Sequence, residues 1–337
     1  MLRLNKVFIL NLLILQIFPL FPFQFGNGNN DSTTKFIKVA DDVKDVYLGQ
    51  WSSYIIKNDD SLWGAGFEIA KTFGISGDQI QKTFIRLEDD VLYYNGYFLV
   101  KKDGRTYTTD KGIHKTDYKI KKGSLGIVFI QDDNCLYADS EDFHGAYGLG
   151  KKEIHLDKPT LLMKDVIHVY SNGYYTQVVT SNYELFVSGE HYLPDPYKKS
   201  YTFFKLADNV KYSTEGFYIT ENNELYAFGW CGHGVSGLGK QNDVHMKPTK
   251  VMDDVSSVVC NQDVAFAITI NGDLYGWGGD TPNYVGQLGF GDKKAVYIPK
   301  LVMNNVKKVA LGNYHTAIIK SDDSLWMCGA NNWVGGY

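Results

Sequence analysis

Toward its C-terminal end the chain alternates short apolar runs with polar breaks. Val306 to Leu311 is followed by Gly312, then Tyr314-His315-Thr316-Ala317-Ile318-Ile319, a polar tetrad Lys320 to Asp323, and Ser324-Leu325-Trp326-Met327-Cys328. Two β-rich runs joined by a short polar link predict a hairpin. Asn271-Gly272 and Asp103-Gly104 stand at the same link elsewhere in the chain, and such pairs favour tight hairpins because both residues tolerate positive φ. No segment carries a sustained 3.6-residue amphipathic pattern, although Glu68 to Gln81 has room for a helical turn.

The pattern repeats. Leu-aromatic-x-x-Gly occurs as Leu62 to Gly66, Leu185 to Gly189, Leu225 to Gly229, Leu274 to Gly278 and Leu325 to Gly329, with worn copies at Thr106-Tyr107 and Leu136-Tyr137. A second element keeps a fixed spacing. Pro159, Pro248 and Pro299, or Phe36, Phe84 and Phe203 in their place, stand seven residues before Val166, Val255, Val306, Val43, Val91 and Val210. Each of these valines follows an Asp or Asn: Asp42, Asp90, Asp165, Asn209, Asp254 or Asn305. Seven units of about 40 to 50 residues, each too small to cover both faces of its own sheet, predict an all-β fold. The expected architecture is a seven-bladed β-propeller of antiparallel sheets over residues 36–337. Because Phe36-Ile37-Lys38-Val39 matches the segment that the last unit lacks, the ring is expected to close through the N-terminal strand, which pairs an otherwise open edge.

The first residues form a separate object. Arg3 and Lys6 precede an almost wholly apolar run from Val7 to Phe25. Residues 1–26 are therefore expected to be a signal peptide or an uncleaved signal anchor, and residues 27–35, rich in Gly and Asn, a flexible linker. A membrane enters the picture only if that apolar segment is retained.

Composition narrows the function. The 337 residues carry 34 Lys+Arg against 38 Asp+Glu, a formal charge of -4, so no electrostatic footprint for nucleic acid is expected. The 24 Tyr, 19 Phe and 34 Gly fit strands and tight turns. Cys135, Cys260 and Cys328 fall in strand-like runs and Cys231 in a Gly-rich loop; no Cys/His cluster has zinc spacing, so free thiols, no metal and no cofactor are expected. Asp59-Asp60 and Asp322-Asp323 lie in hairpin turns, and no nucleophile elbow or phosphate loop is present. The chain is read as a non-enzyme.

The unit resembles the repeat of the regulator of chromosome condensation family. Gly312-Asn313-Tyr314-His315-Thr316, Leu274-Tyr275-Gly276-Trp277-Gly278 and Gly286-Gln287-Leu288-Gly289 carry the resemblance, with partial copies at Gly148-Leu149-Gly150 and Gly237-Leu238-Gly239. It too implies a seven-bladed propeller. The family includes nuclear guanine-nucleotide exchange factors for a small GTPase and secreted bacterial β-lactamase inhibitors. The chain departs from the family after Gly329, where a Gly-Gln-Leu-Gly stretch would continue the unit.

Segments that escape the repeat remain for function, since loops on a rigid scaffold commonly carry binding residues. They present Tyr192, Trp230, His233, Tyr284 and Trp333, residue types that suit protein or sugar contacts. The expected function is a monomeric, secreted or cell-surface scaffold that binds another protein through these loops without catalysis. The alternatives are a carbohydrate-binding propeller and a guanine-nucleotide exchange factor.

Overall fold

Seven four-stranded antiparallel sheets stand in a ring in the computed structural model, which describes residues 21–22, 24–67, 69–75, 80–109, 112–124, 128–190, 199–240, 243–279 and 285–333. The first strands of successive blades are Val43–Leu48, Val91–Tyr94, Ile120–Ser124, Val166–Ser171, Val210–Thr214, Val255–Cys260 and Val306–Leu311. Six blades are continuous in sequence. The seventh takes its fourth strand, Thr33–Ala40, from the N-terminal side, with Ile37 opposite Met327 and Lys38 opposite Trp326. Ring closure therefore follows the expected register, and the closing strand begins at Thr33 rather than at Phe36. One helical turn, Ile69–Thr72, lies where the sequence left room for it.

The repeated Asp or Asn has a conformational cause. Asp42, Asp90, Asp165, Asn209, Asp254 and Asn305 all sit in the left-handed region, with φ between 54° and 59°, where Asp and Asn are tolerated far better than branched residues. This kink turns the chain from one blade into the next. It also places the following valine's N–H on the preceding blade's hairpin: Val43 donates to Asp323 O, Val91 to Asp60 O, Val166 to Asn134 O, Val210 to Tyr183 O, Val255 to Asn223 O and Val306 to Gly272 O, at 2.8–2.9 Å. The seam between the second and third blades departs from this pattern, with Lys119 before Ile120. There Tyr118 stacks on Phe129 at 5.1 Å, Phe98 meets Phe129 edge-on at 5.7 Å, and Tyr93 donates to Gly123 O at 3.0 Å. Aromatic packing takes over at the seam where the repeat is most worn.

Buried apolar residues gather between blades rather than within one. Each cluster draws on two neighbours, as when Ile219 and Leu225 of the fifth blade meet Val255, Ala267 and Trp277 of the sixth. Cys328 lies wholly buried in the cluster between the sixth and seventh blades. Cys135, Cys260 and Cys328 form no disulfide bond. Cys135 precedes its strand, Leu136–Ala138, instead of lying inside it.

The segment just before the closing strand also has a place in the ring. Where other units continue as Gly-Leu-Gly, the loop packs on an aromatic of the next blade. A side chain at Gly289 would meet Phe36 at 2.2 Å, and one at Gly148 would meet Phe203 at 2.4 Å. Gly26 stands in the same relation to Phe84, at 2.6 Å. Gln24-Phe25-Gly26 thus fills the place of Gln287-Leu288-Gly289. Phe25 is fully buried against Val46, Ile55 and Ala317, and its N–H donates to Asn331 Oδ1 at 2.8 Å. Asn27 bridges Thr83, Gly28 N–H donates to Lys82 O at 3.0 Å, and Phe21–Pro22 pairs with Asn332–Trp333. Gly26 and Gly28 here take the positive-φ turns of a seated loop.

Two outcomes follow for stability, both read by denaturant unfolding. Asp165→Ala should cost about 1 kcal/mol, because alanine pays the left-handed penalty in full, while Asp165→Gly should stay near wild type. Phe25→Ala should cost about 3–5 kcal/mol, the loss for a fully buried phenylalanine.

Candidate interaction face

In every blade the connections from first to second strand and from third to fourth strand emerge at the same end, because the strands alternate in direction. The hairpin turns between second and third strands, and the kinks between blades, emerge at the other end. The third-to-fourth connections are the irregular ones, so variation in loop length collects on one face of the ring. Trp230 is the penultimate residue of the strand Leu225–Cys231, and His233 follows that strand in a short turn with φ 57° and ψ 23°. Trp333 pairs with Phe21. Tyr192 and Tyr284 lie outside the described residues. The three described positions stand at the end of the third strand of the fifth blade, in the connection that follows it, and in the connection after the third strand of the seventh.

Two of these connections are seen beside the first-to-second connection of the next blade. His233 of the fifth blade acts on Asp263 of the sixth, whose carboxyl is raised by burial and drawn partly back by that imidazole. Across the third and fourth blades, His144 packs on Tyr174 with ring centroids 4.5 Å apart. Phe143 and Tyr174 there are 56% and 50% exposed, large apolar surfaces left to solvent. Trp51 and Tyr314 approach at 6.5 Å on the same face.

Beside Tyr174 stands a charge cluster. The Tyr201 hydroxyl donates to Glu190 Oε1 at 2.8 Å, and His144 Nδ1, Lys152 Nζ and Lys199 Nζ lie 3.4–3.5 Å from its carboxylate. The Tyr201 hydrogen bond, with those neighbours, holds the Glu190 carboxyl down at about 2, so it stays ionised at any physiological pH. Phe143, His144, Tyr174 and Glu190 were not singled out from the sequence. The length of the connection from Ala138 to Thr160 was the available signal, since loop length marks where a repeat has been elaborated.

The buried histidines serve the scaffold. His315, 1% exposed, sits with Nε2 3.2 Å from Ser53 Oγ and so joins the seventh blade to the first. Burial pushes its pKa down to about 3. No group of three or more metal-ligating side chains occurs among the described residues, and no described helix is long and apolar enough to cross a membrane.

Residues 271–319 match the Regulator of chromosome condensation (RCC1) repeat. The Ultraviolet-B receptor UVR8 of Arabidopsis thaliana is 30% identical over 116 residues, 32% of this chain and 26% of that protein. The human Regulator of chromosome condensation is 27% identical over 217 residues, 60% of this chain and 44% of that protein. The match thus spans well under half of these curated relatives. Among solved structures, yeast RCC1 (Prp20), seen bound to Kap60, superposes with a TM-score of 0.66 at 15% identity, covering 86% of this chain and 80% of that one.

A pH experiment tests the assignment of His315. An unfolded imidazole titrates near 6.5 and the folded one near 3, so between these values the unfolded chain binds the extra proton. Stability should fall as pH drops below 6.5, by up to about 1.4 kcal/mol per pH unit for this group. Urea midpoints of His315→Gln should show a shallower slope between pH 5 and 6.5; an unchanged slope would refute the assignment. With the ring, its seams and its one elaborated face in view, the chain carries the regulator of chromosome condensation repeat on a seven-bladed propeller.

Proposed function

We propose that this protein is a non-catalytic recognition scaffold that binds another protein, outside the cytoplasm, through the face carrying the third-to-fourth connections. The observation that carries the reading is the division of labour in the fold: repeated residues are consumed by seams and kinks, while Phe143 and Tyr174, the two most exposed aromatics among the described residues, share one face with the irregular loops. Phe143 and Tyr174 supply anchors of the kind that dominate protein interfaces, flanked by the fixed charge of Glu190. The basic start and apolar run from Val7 support export. A leader removed ahead of Gln24 would leave the ring intact.

Guanine-nucleotide exchange on a small GTPase is a second reading. Two relatives support it, the RCC1-like G exchanging factor-like proteins of mouse and human, each 26% identical over 121 residues. Prp20p of Saccharomyces cerevisiae, studied for its binding to Gsp1p and histones, supports it further. A carbohydrate ligand is the third.

Cross-linking capture from host or neighbouring-cell surface extract, run with wild type and with Phe143→Ala/Tyr174→Ala, separates these. The proposal expects a defined protein captured by wild type, with at least a tenfold loss of affinity in the double variant and unchanged Tm. Equal capture by both would remove this face from the reading. Accelerated nucleotide release from a GTPase would favour exchange, and elution by free sugar would favour the third.

A further inference from the structure

The third residue of each first strand varies in charge and chemistry from blade to blade: Asp45, Tyr93, Lys122, His168, Tyr212, Ser257 and Lys308. In all seven blades the pairing register shifts immediately before it, between Val43 and Asp45, Val91 and Tyr93, Ile120 and Lys122, Val166 and His168, Val210 and Tyr212, Val255 and Ser257, and Val306 and Lys308. A bulge of this kind re-aims a side chain. The re-aimed side chains meet one another around the axis. Lys308 pairs with Asp45, Lys122 Nζ lies 3.0 Å from His168 Nδ1, and the His168 and Tyr212 rings stand 4.3 Å apart. The first strands of neighbouring blades touch one another, Val306–Leu311 with Val43–Leu48 and Ile120–Ser124 with Val166–Ser171 among them, so Lys122 and Lys308 stand on the innermost strands around the central channel. They belong to the third and seventh blades, which are not neighbours, yet the Lys308 charge acts on Lys122.

Charge is unbalanced in this girdle. Asp45 serves Lys308. His168 cannot serve Lys122, because Nε2 lies 2.7 Å from Ser213 O and must carry the proton there, leaving Nδ1 as a neutral acceptor. Burial and the facing Lys308 both push the Lys122 amine down, and no carboxylate is among the groups acting on it. A largely buried ammonium is costly unless an anion accompanies it.

We propose that the channel binds a small oxyanion, a phosphate or carboxylate group, between Lys122 and Lys308. Lys122 gives the charge-assisted hydrogen bond that no protein carboxylate takes, and Lys308 lends the second positive field from across the ring. The pairing with His168 fixes the direction of the Lys122 ammonium. The site is separate from the loop face and does not depend on how that face is used.

Calorimetric titration of the whole protein with inorganic phosphate, and separately with acetate, tests this at constant ionic strength against chloride. Saturable binding of either anion at millimolar or lower concentration is expected, with the tighter of the two naming the ligand class. Lys122→Met should weaken it at least tenfold, and the exposed Lys121→Met should leave it unchanged. Absence of saturable binding, an equal response to chloride, or wild-type affinity in Lys122→Met would each overturn the site. Should Lys122→Met fail to fold by circular dichroism, Lys308→Met decides: a loss of at least threefold supports the site and none refutes it.

Discussion

The ring depends on a backbone kink that most residues resist. At six blade junctions one Asp or Asn adopts a left-handed conformation, and the next N–H is thereby delivered to the neighbouring hairpin's carbonyl. That pairing satisfies a donor which the sheet itself leaves open at the start of a strand, and an unmet buried N–H is expensive. It also sets the angle at which one apolar sheet meets the next. The clusters between blades follow from that angle, and each cluster in turn gives a blade its second covered face. At the junction where Lys119 replaces Asp or Asn, the ring relies on rings of another kind, with Tyr118, Phe129 and Phe98 holding the seam.

Much of this was legible from spacing. Fixed intervals between Phe or Pro, Asp or Asn, and Val announce a structural unit, because the unit's geometry admits few residue types at those points. The closing strand was legible for the same reason. The fate of Gln24 to Gly28 was not. Phe25 replaces Leu288 in a motif whose glycines are its recognisable part, and it sits at the end of an apolar run with a sufficient explanation of its own. Composition cannot distinguish a phenylalanine in a leader from one in a core; only its distant partners, Phe84 and Asn331, reveal which it is.

The candidate sites were legible unevenly. Aromatic residues in irregular loops drew attention, and topology explains why loops from different blades share a face. Phe143 and Tyr174 were hidden because each looks ordinary in its own segment, and the packing of His144 on Tyr174 across a seam is purely spatial. The channel girdle was hidden in the opposite way. A repeated position invites a structural reading, yet here the residue two places before it is Val in six blades and Ile in the third, while the residue itself changes chemistry from blade to blade.

Joining residues 24–40 to residues 325–331 has a consequence in time. A ribosome delivers the chain from its N-terminus, so Thr33–Ala40 emerges almost three hundred residues before its partner Leu325–Gly329. During that interval an apolar strand and Phe25 have no native mate, and the first blade has no seventh blade to lean on. Closing so long a loop carries an entropic cost that grows only slowly with length, but the waiting strand is an exposed edge throughout. The ring can therefore close only once Leu325–Gly329 has been made, and until then Thr33–Ala40 must be kept from pairing with other chains.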